Sequence, residues 1–286
     1  MKEIILGICG ENDLQFISVE VVHGGDINRS FKIKTSEGPY FIKLNDSLLY
    51  PGMLETEAKG LHLLEKAGAF TLPNVIAAAS FENYQYLLLE WIEPGKPQTG
   101  FWENFGESLA SLHSQTRKSF GLEFDNYIGS LPQQNHDAKS FATFYTGHRV
   151  MPLVQVLMER GDYNHRQFEL FQNFCKRLQD LVPDEPPALL HGDLWAGNYL
   201  VHQNGHPVLI DPATYFGHRE MDIAMTRLFG GFDKSMYEVY NHWYPLQKDW
   251  EQRISIMQLY PLLVHAVLFG GGYVHRCVEI VLRYTK

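Results

Sequence analysis

Two carboxylates and one carboxamide carry the most telling chemistry in this chain. They lie in Leu190-His191-Gly192-Asp193-Leu194-Trp195-Ala196-Gly197-Asn198-Tyr199-Leu200 and in Val208-Leu209-Ile210-Asp211-Pro212. An aspartate next to a glycine, as Asp193 is, can come close to a hydroxyl and orient it for attack. Asn198 and Asp211 are hard oxygen donors of the kind that hold Mg²⁺ jointly with phosphate oxygens. Together they suit phosphoryl transfer, where the protein supplies positioning, charge neutralisation and a carboxylate for the attacking hydroxyl. His-Gly-Asp alone is also a good turn sequence; the added spacing of Asn198 and Asp211 favours a catalytic role.

The spacing of Asp193 and Asn198 follows the kinase catalytic-loop pattern H-x-D-L-x-x-x-N, with Gly192 where an arginine is usual. Asp211 ends an apolar strand, where kinases carry the Asp of D-F-G. Lys43, within the apolar strand 40–44, is the candidate anchor for the α/β-phosphates. Glu57 in the following helix is its preferred partner and Glu55 the competitor. Gly24 and Gly25 would let backbone amides approach a phosphate, although their loop matches neither G-x-G-x-x-G nor a Walker sequence and also reads as an ordinary hairpin turn. Glu90, Trp91 and Ile92 form the candidate hinge, offering backbone N–H and C=O groups to adenine. Trp195 reads either as an apolar wall of an acceptor site or as an anchor of its loop. His202 and His206 flank a turn and make no helical metal pair, and no G-x-S-x-G elbow suggests a hydrolase. His113 reads as a packed or capping residue.

These residues need a scaffold, and the pattern changes along the chain. Residues 16–22, 31–34 and 40–44 read as successive antiparallel strands. A helix over 53–67 follows, then strands near 75–81 and 84–92. The breaker run Pro94-Gly95-Lys96-Pro97 marks a boundary. Beyond it Phe105, Leu109 and Leu112 share one helical face, and helices are expected over 150–158, 168–181 and from 220 onward. A hairpin of 199–202 and 208–210 turns at Asn204-Gly205. The expected fold is α+β: a small antiparallel N-terminal lobe with one main helix (1–92) and a large helical C-terminal lobe (93–286).

The 286 residues are 45% hydrophobic and 20% charged, as in an ordinary globular enzyme. A formal charge of −9 with no basic block argues against nucleic-acid binding. Cys9, Cys175 and Cys277 form neither a metal pattern nor a disulfide framework, so a cytoplasmic setting is expected. The apolar stretch at the N-terminus is too short for a signal peptide. The run around 259–271, broken by Pro261 and His265, reads as a buried helix and not as a membrane span.

Several segments taken together closely resemble the fructosamine/ketosamine kinase family, within the aminoglycoside- and choline-kinase-like group of protein-kinase-like fold. They are His191 through Asn198, Ile210-Asp211-Pro212-Ala213, the stretch from Tyr215 to Thr226 with Gly217-His218-Arg219-Glu220-Met221-Asp222, and Leu228-Phe229-Gly230-Gly231-Phe232. Gly24-Gly25-Asp26-Ile27-Asn28 and Phe41-Ile42-Lys43 fit the same family. The resemblance implies a two-lobed fold and ATP-dependent phosphorylation of the 3-hydroxyl of ketosamines on amines or proteins. The product is labile, so the reaction serves deglycation. By position it implies Asp193 as base, Asn198 and Asp211 as Mg²⁺ ligands, and Lys43 with Glu57 as the phosphate-anchoring pair. Asp222, with His191, is implied to brace the catalytic loop, and Arg219 and Glu220 to shape the acceptor side. The glycine loop has Asp26 where some relatives carry a cysteine, so redox control there is not expected. An aminoglycoside- or choline-type alcohol kinase is the alternative, and an inert kinase fold used for binding is disfavoured because Lys43, Asp193, Asn198 and Asp211 are all present. Oligomeric state and the preferred sugar are left open.

Overall fold

The computed structural model describes residues 1–22 and 27–285. In chain order it begins with α1 (Lys2–Glu11), β1 (Phe16–Val22), β2 (Arg29–Thr35), β3 (Pro39–Asp46), α2 (Met53–Ala67), β4 (Val75–Phe81) and β5 (Tyr84–Glu90). There follow α3 (Phe101–His113), β6 (Asn126–Ile128), β7 (Leu131–Gln133), α4 (Phe141–Tyr145), α5 (Met151–Glu159), α6 (His165–Leu181) and β8 (Ala188–Leu190). The chain ends with β9 (Tyr199–Val201), β10 (Pro207–Leu209), β11 (Tyr215–Gly217), α7 (Glu220–Leu228), α8 (Lys234–Trp243), α9 (Trp250–Phe269) and α10 (Gly272–Tyr284). The fold is α+β.

Two compact units result, each built from two chain segments. One comprises Met1–Phe101 with Leu200–Asp211, the other Trp102–Tyr199 with Pro212–Lys286. The expected division was a single cut at 92/93; here the hairpin segment Leu200–Asp211 groups with the N-terminal unit.

In the first unit the sheet order is β1-β2-β3-β5-β4, antiparallel throughout. Period-2 alternation sends successive side chains to opposite faces. One face carries Ile33, Ile42, Leu44, Tyr86 and Leu88 and is covered by Ile5, Ile8 and Cys9 of α1. Leu87 and Leu89 point the other way, against Leu54, Ala58 and Leu61 of α2. The expected lobe had one main helix; α1 is a second. Its apolar stretch is too brief to show a helical period, and packing of Ile5, Ile8 and Cys9 on the sheet stabilises it as a helix.

The second unit is mainly helical, with the small pairings β6–β7 and β8–β11. Phe105, Leu109 and Leu112 of α3 are all buried, as their spacing implies. Asn164 and Gln167 form a reciprocal capping box that starts α6 earlier than the periodicity alone suggested. The apolar run read as a buried helix lies mostly within α9, which contains Pro261. Among the described residues no helix is long and apolar enough to cross a membrane.

Candidate active site

In the N-terminal unit, alternation places Lys43 of β3 on the face that α2 covers, together with Phe41. Its Nζ lies 2.7 Å from Glu57 Oε1 and 2.7 Å from Asp211 Oδ1. Glu57 is reached because it falls on the apolar stripe of α2 between Leu54 and Leu61. Glu55 instead pairs with Lys59 on the exposed side of the helix, at 2.7 Å. Asp211 follows β10, which is tied to the same unit through the Thr71–Val208 bridge and the Leu209 N–H to Thr71 carbonyl bond. Asp211 adopts a left-handed backbone, φ 56°, uncommon for a non-glycine residue and often seen at functional turns.

Burial pulls the Lys43 ammonium toward neutrality, but the charges of Asp211 and Glu57 outweigh it and hold its pKa above the ordinary value. Burial, aided by the neighbouring Asp211 charge, raises the Glu57 carboxyl despite the opposing pull of Lys43. Two carboxylates therefore share one buried cation. Gly24 and Gly25 lie outside the described residues. In the candidate hinge, the Glu90 carboxylate accepts from the Asn74 backbone and side-chain amides, and Ile92 is buried. Trp91 lies under Lys32 at 4.1 Å and donates its indole N–H to Glu93. The side chains of Glu90 and Trp91 are thus engaged locally, which leaves backbone groups for the expected hinge.

In the helical unit, the loop between β8 and β9 is organised by Asp222 of α7. Its Oδ2 accepts the His191 N–H at 2.7 Å and its Oδ1 the Gly192 N–H at 3.0 Å. Asp222 is buried and also faces His113 Nε2 at 3.3 Å, whose Nδ1 meets the Tyr240 hydroxyl at 2.9 Å. A carboxylate only accepts, so His113 Nε2 carries the hydrogen and Nδ1 accepts from Tyr240. The buried His191 receives the Asp193 N–H on Nδ1. Gly192 has φ 87°, and a Cβ there would sit 2.0 Å from the Ala213 carbonyl oxygen. The position usually held by arginine must be glycine in this loop because backbone occupies the space.

Asn198 is buried, and its Nδ2 donates to the Asp193 carbonyl at 2.8 Å and to Asp193 Oδ2 at 2.9 Å. This bond holds the Asp193 carboxylate in one orientation. With the NH₂ group engaged, the hard oxygen of the carboxamide is the part left for a cation. Trp195 is 39% exposed and meets Phe229 edge to face at 6.0 Å, which fits a wall better than a buried anchor.

Arg219 and Glu220 are placed differently from their expected position on the acceptor side. Arg219 grips Glu185 through Nε and Nη2 at 2.7 and 2.8 Å and donates to the Tyr244 and Pro245 carbonyls. Glu220 is 1% exposed and pairs with Arg253. Both are spent on internal ion pairs, because leaving either charge buried without its partner would be costly. Glu185, Arg253, Tyr240 and the Asp222 contact of His113 were missed from the sequence. The fixed relation of His113 to Asp222 spans 109 positions, and no local period signals it.

The profile of the family described as fructosamine kinase matches residues 9–286. A probable ketoamine kinase of Lactiplantibacillus plantarum is 41% identical over 276 residues, covering 93% of this chain and 94% of its own. The chloroplastic protein-ribulosamine 3-kinase of Arabidopsis thaliana is 34% identical over 280 residues, 95% of this chain and 84% of its own. The crystal structure of a putative fructosamine-3-kinase from Thermobifida fusca superposes with TM-score 0.88 at 31% identity, covering 99% of each chain.

Proposed function

The chain belongs to the fructosamine kinase family, and on that premise we propose that it transfers the γ-phosphoryl group of ATP to the 3-hydroxyl of ketosamines, carried on small amines or on proteins. The names of its relatives support a ketosamine acceptor, of ribulosamine or fructosamine type. Asp193 orients the hydroxyl and takes its proton as the oxygen bonds to phosphorus and the bond to ADP breaks. The N-terminal unit (residues 1–92 in its core) serves the nucleotide: Lys43, held by Glu57, meets the phosphates, Gly24 and Gly25 line them, and the backbone of Glu90, Trp91 and Ile92 receives adenine. The helical remainder supplies the base and the acceptor side.

Asn198 and Asp211 are the residues that would hold Mg²⁺. Their oxygen-only chemistry fits this hard cation, which takes one or two protein oxygens and completes its shell with phosphates and water. When bound it neutralises charge on the phosphate oxygens. His191 and Asp222 act as loop supports, and Trp195 borders the acceptor. The phosphorylated adduct is labile, so the activity contributes to deglycation. Three free, buried thiols, Cys9, Cys175 and Cys277, support a reducing, cytoplasmic setting.

The observation that carries the chemistry is the clamp of Asn198 Nδ2 on Asp193, 2.9 Å from Oδ2. It presents a base and a metal ligand from one short loop. The test is purified protein with Mg-ATP and a panel of fructosamines, ribulosamines, aminoglycosides and choline, followed by mass spectrometry. Addition of one phosphate to a ketosamine is expected. Phosphorylation of another alcohol and of no ketosamine would replace the acceptor assignment while keeping the kinase.

A further inference from the structure

A run of partly exposed rings leaves the catalytic loop and crosses the surface of the helical unit. Trp195 meets Phe229 at 6.0 Å, and Phe229 meets His265 at 5.3 Å. His265 is flanked by Phe269 at 5.5 Å and by Tyr273 at 5.0 Å. Phe229 is 46% and Phe269 60% exposed, so these rings are poorly explained by the core. Paired glycines present them. Gly231 has φ 92°, and a Cβ on it would lie 2.6 Å from the Ala196 Cβ, so the turn after Phe229 is seated directly on the catalytic loop. Gly270 and Gly271, both at positive φ, turn the chain between Phe269 and Tyr273.

His265 adds a polar group to this apolar track. Its Nδ1 lies 2.7 Å from the Pro261 carbonyl oxygen, one helical turn back. A carbonyl oxygen only accepts, so the proton sits on Nδ1 and Nε2 keeps its lone pair in the neutral ring. No hydrogen bond engages Nε2 among the described residues. A lone pair surrounded by aromatic faces suits an ammonium group, which can donate N–H and be attracted by the ring quadrupoles. The approach from Trp195 suits an alkyl stem, which gains by covering exposed rings.

We propose that the track Trp195–Phe229–His265 binds the carrier of the acceptor amine: an alkyl chain bearing a second, cationic nitrogen, as in a lysine- or diamine-derived ketosamine. This rests on the ketosamine assignment above. With the sugar hydroxyl at Asp193, the amine substituent leaves over Trp195, its stem lies on Phe229 and its distal ammonium reaches His265, between Phe269 and Tyr273.

The test compares adducts of one sugar with methylamine, hexylamine and hexamethylenediamine, the last two differing in the second ammonium. In the wild type, KM falls in that order, while kcat stays within about twofold. His265→Ala should raise KM for the diamine adduct about fivefold, to the hexylamine value, without changing KM for methylamine adduct or ATP. Phe229→Ala should erase most of the advantage of hexylamine over methylamine, and Phe229→Tyr should restore it. Phe269→Ser, at a ring 60% exposed, should weaken the diamine adduct selectively. Equal KM values for the three adducts in the wild type, or variant effects equal for all three or confined to kcat, would overturn the track. If the wild type phosphorylates none of the adducts, the ketosamine assignment itself fails and the track falls with it.

Discussion

Lys43 and Asp211 are 168 positions apart in sequence, yet Lys43 Nζ and Asp211 Oδ1 stand 2.7 Å apart. Lys43 is buried, and Glu57 of α2 stands equally close to its Nζ, at 2.7 Å. The cation therefore ties the proposed metal ligand to the main helix of the N-terminal unit. In that unit, one side chain links a strand, a helix and the end of a hairpin.

Lys43→Ala leaves two carboxylates without their shared cation. Turnover should fall about a hundredfold or more, as when a preorganised charge donor is removed from a phosphoryl-transfer site. Stability should fall as well, chiefly through Glu57, since Asp211 is 43% exposed and screened by water. Steady-state kinetics and urea denaturation of the same variant separate the effects. Turnover near wild type would remove Lys43 from the site.

Asp193→Asn keeps the shape of the loop but removes the proton acceptor. A loss of about 10²- to 10⁴-fold in kcat is expected, the usual contribution of a general base. Nucleotide affinity, measured by titration calorimetry with a non-hydrolysable ATP analogue, should change little. A variant that retained most of its turnover would require another base.

Asp222→Ala strips the acceptor from two backbone donors, His191 N–H and Gly192 N–H, and from His113. Each buried donor left unsatisfied costs about 1–3 kcal/mol, so the midpoint of urea unfolding should drop clearly. The remaining folded enzyme should show lowered kcat, with ATP affinity nearly unchanged. Unchanged unfolding midpoint and kcat together would mean that Asp222 does not brace the loop.

Glu185 and His218 should make the helical unit acid-labile. Burial disfavours the Glu185 carboxylate, but hydrogen bonds and charge from Arg219, with His218 and Arg253, outweigh it and hold its pKa below the ordinary value. Burial, only partly offset by Glu220 and Glu185, holds the His218 imidazole below its ordinary 6.5. Both pKa values are lower in the folded chain, so the unfolded chain binds more protons in acid and stability falls with pH. The loss begins with His218 as pH drops below 6.5 and deepens as pH falls through the lowered Glu185 value. Urea midpoints should decline from about pH 7.5 downward and go on falling below about pH 4.5, where Glu185 takes its proton, and His218→Gln should flatten the upper part of that decline. A midpoint that rose on acidification would contradict the assignment.

Much of the site was legible because its information is local. The interval from Asp193 to Asn198 is closed within one loop, and its hydrogen bonds span five positions. Strand alternation put Lys43 on a defined face, and the helical period put Glu57 on the apolar stripe of α2 with Glu55 outside it. The family segments set the expected acceptor. The sequence by itself thus determined the class of chemistry, the candidate residues proposed to perform it and the succession of most elements.

Tertiary structure alone decided which charges of the motif are paired inside the scaffold. Arg219 and Glu220 look accessible in a motif rich in polar residues, but Glu185 and Arg253, 34 and 33 positions away, take them inside. His113 reaches Asp222 across 109 positions, and Trp195, Phe229 and His265 form one surface from three separate segments. Local periodicity states only which face of an element is apolar. Which partner meets that face, and whether a charge there is paired or presented, depends on desolvation and packing among segments that no short-range pattern relates.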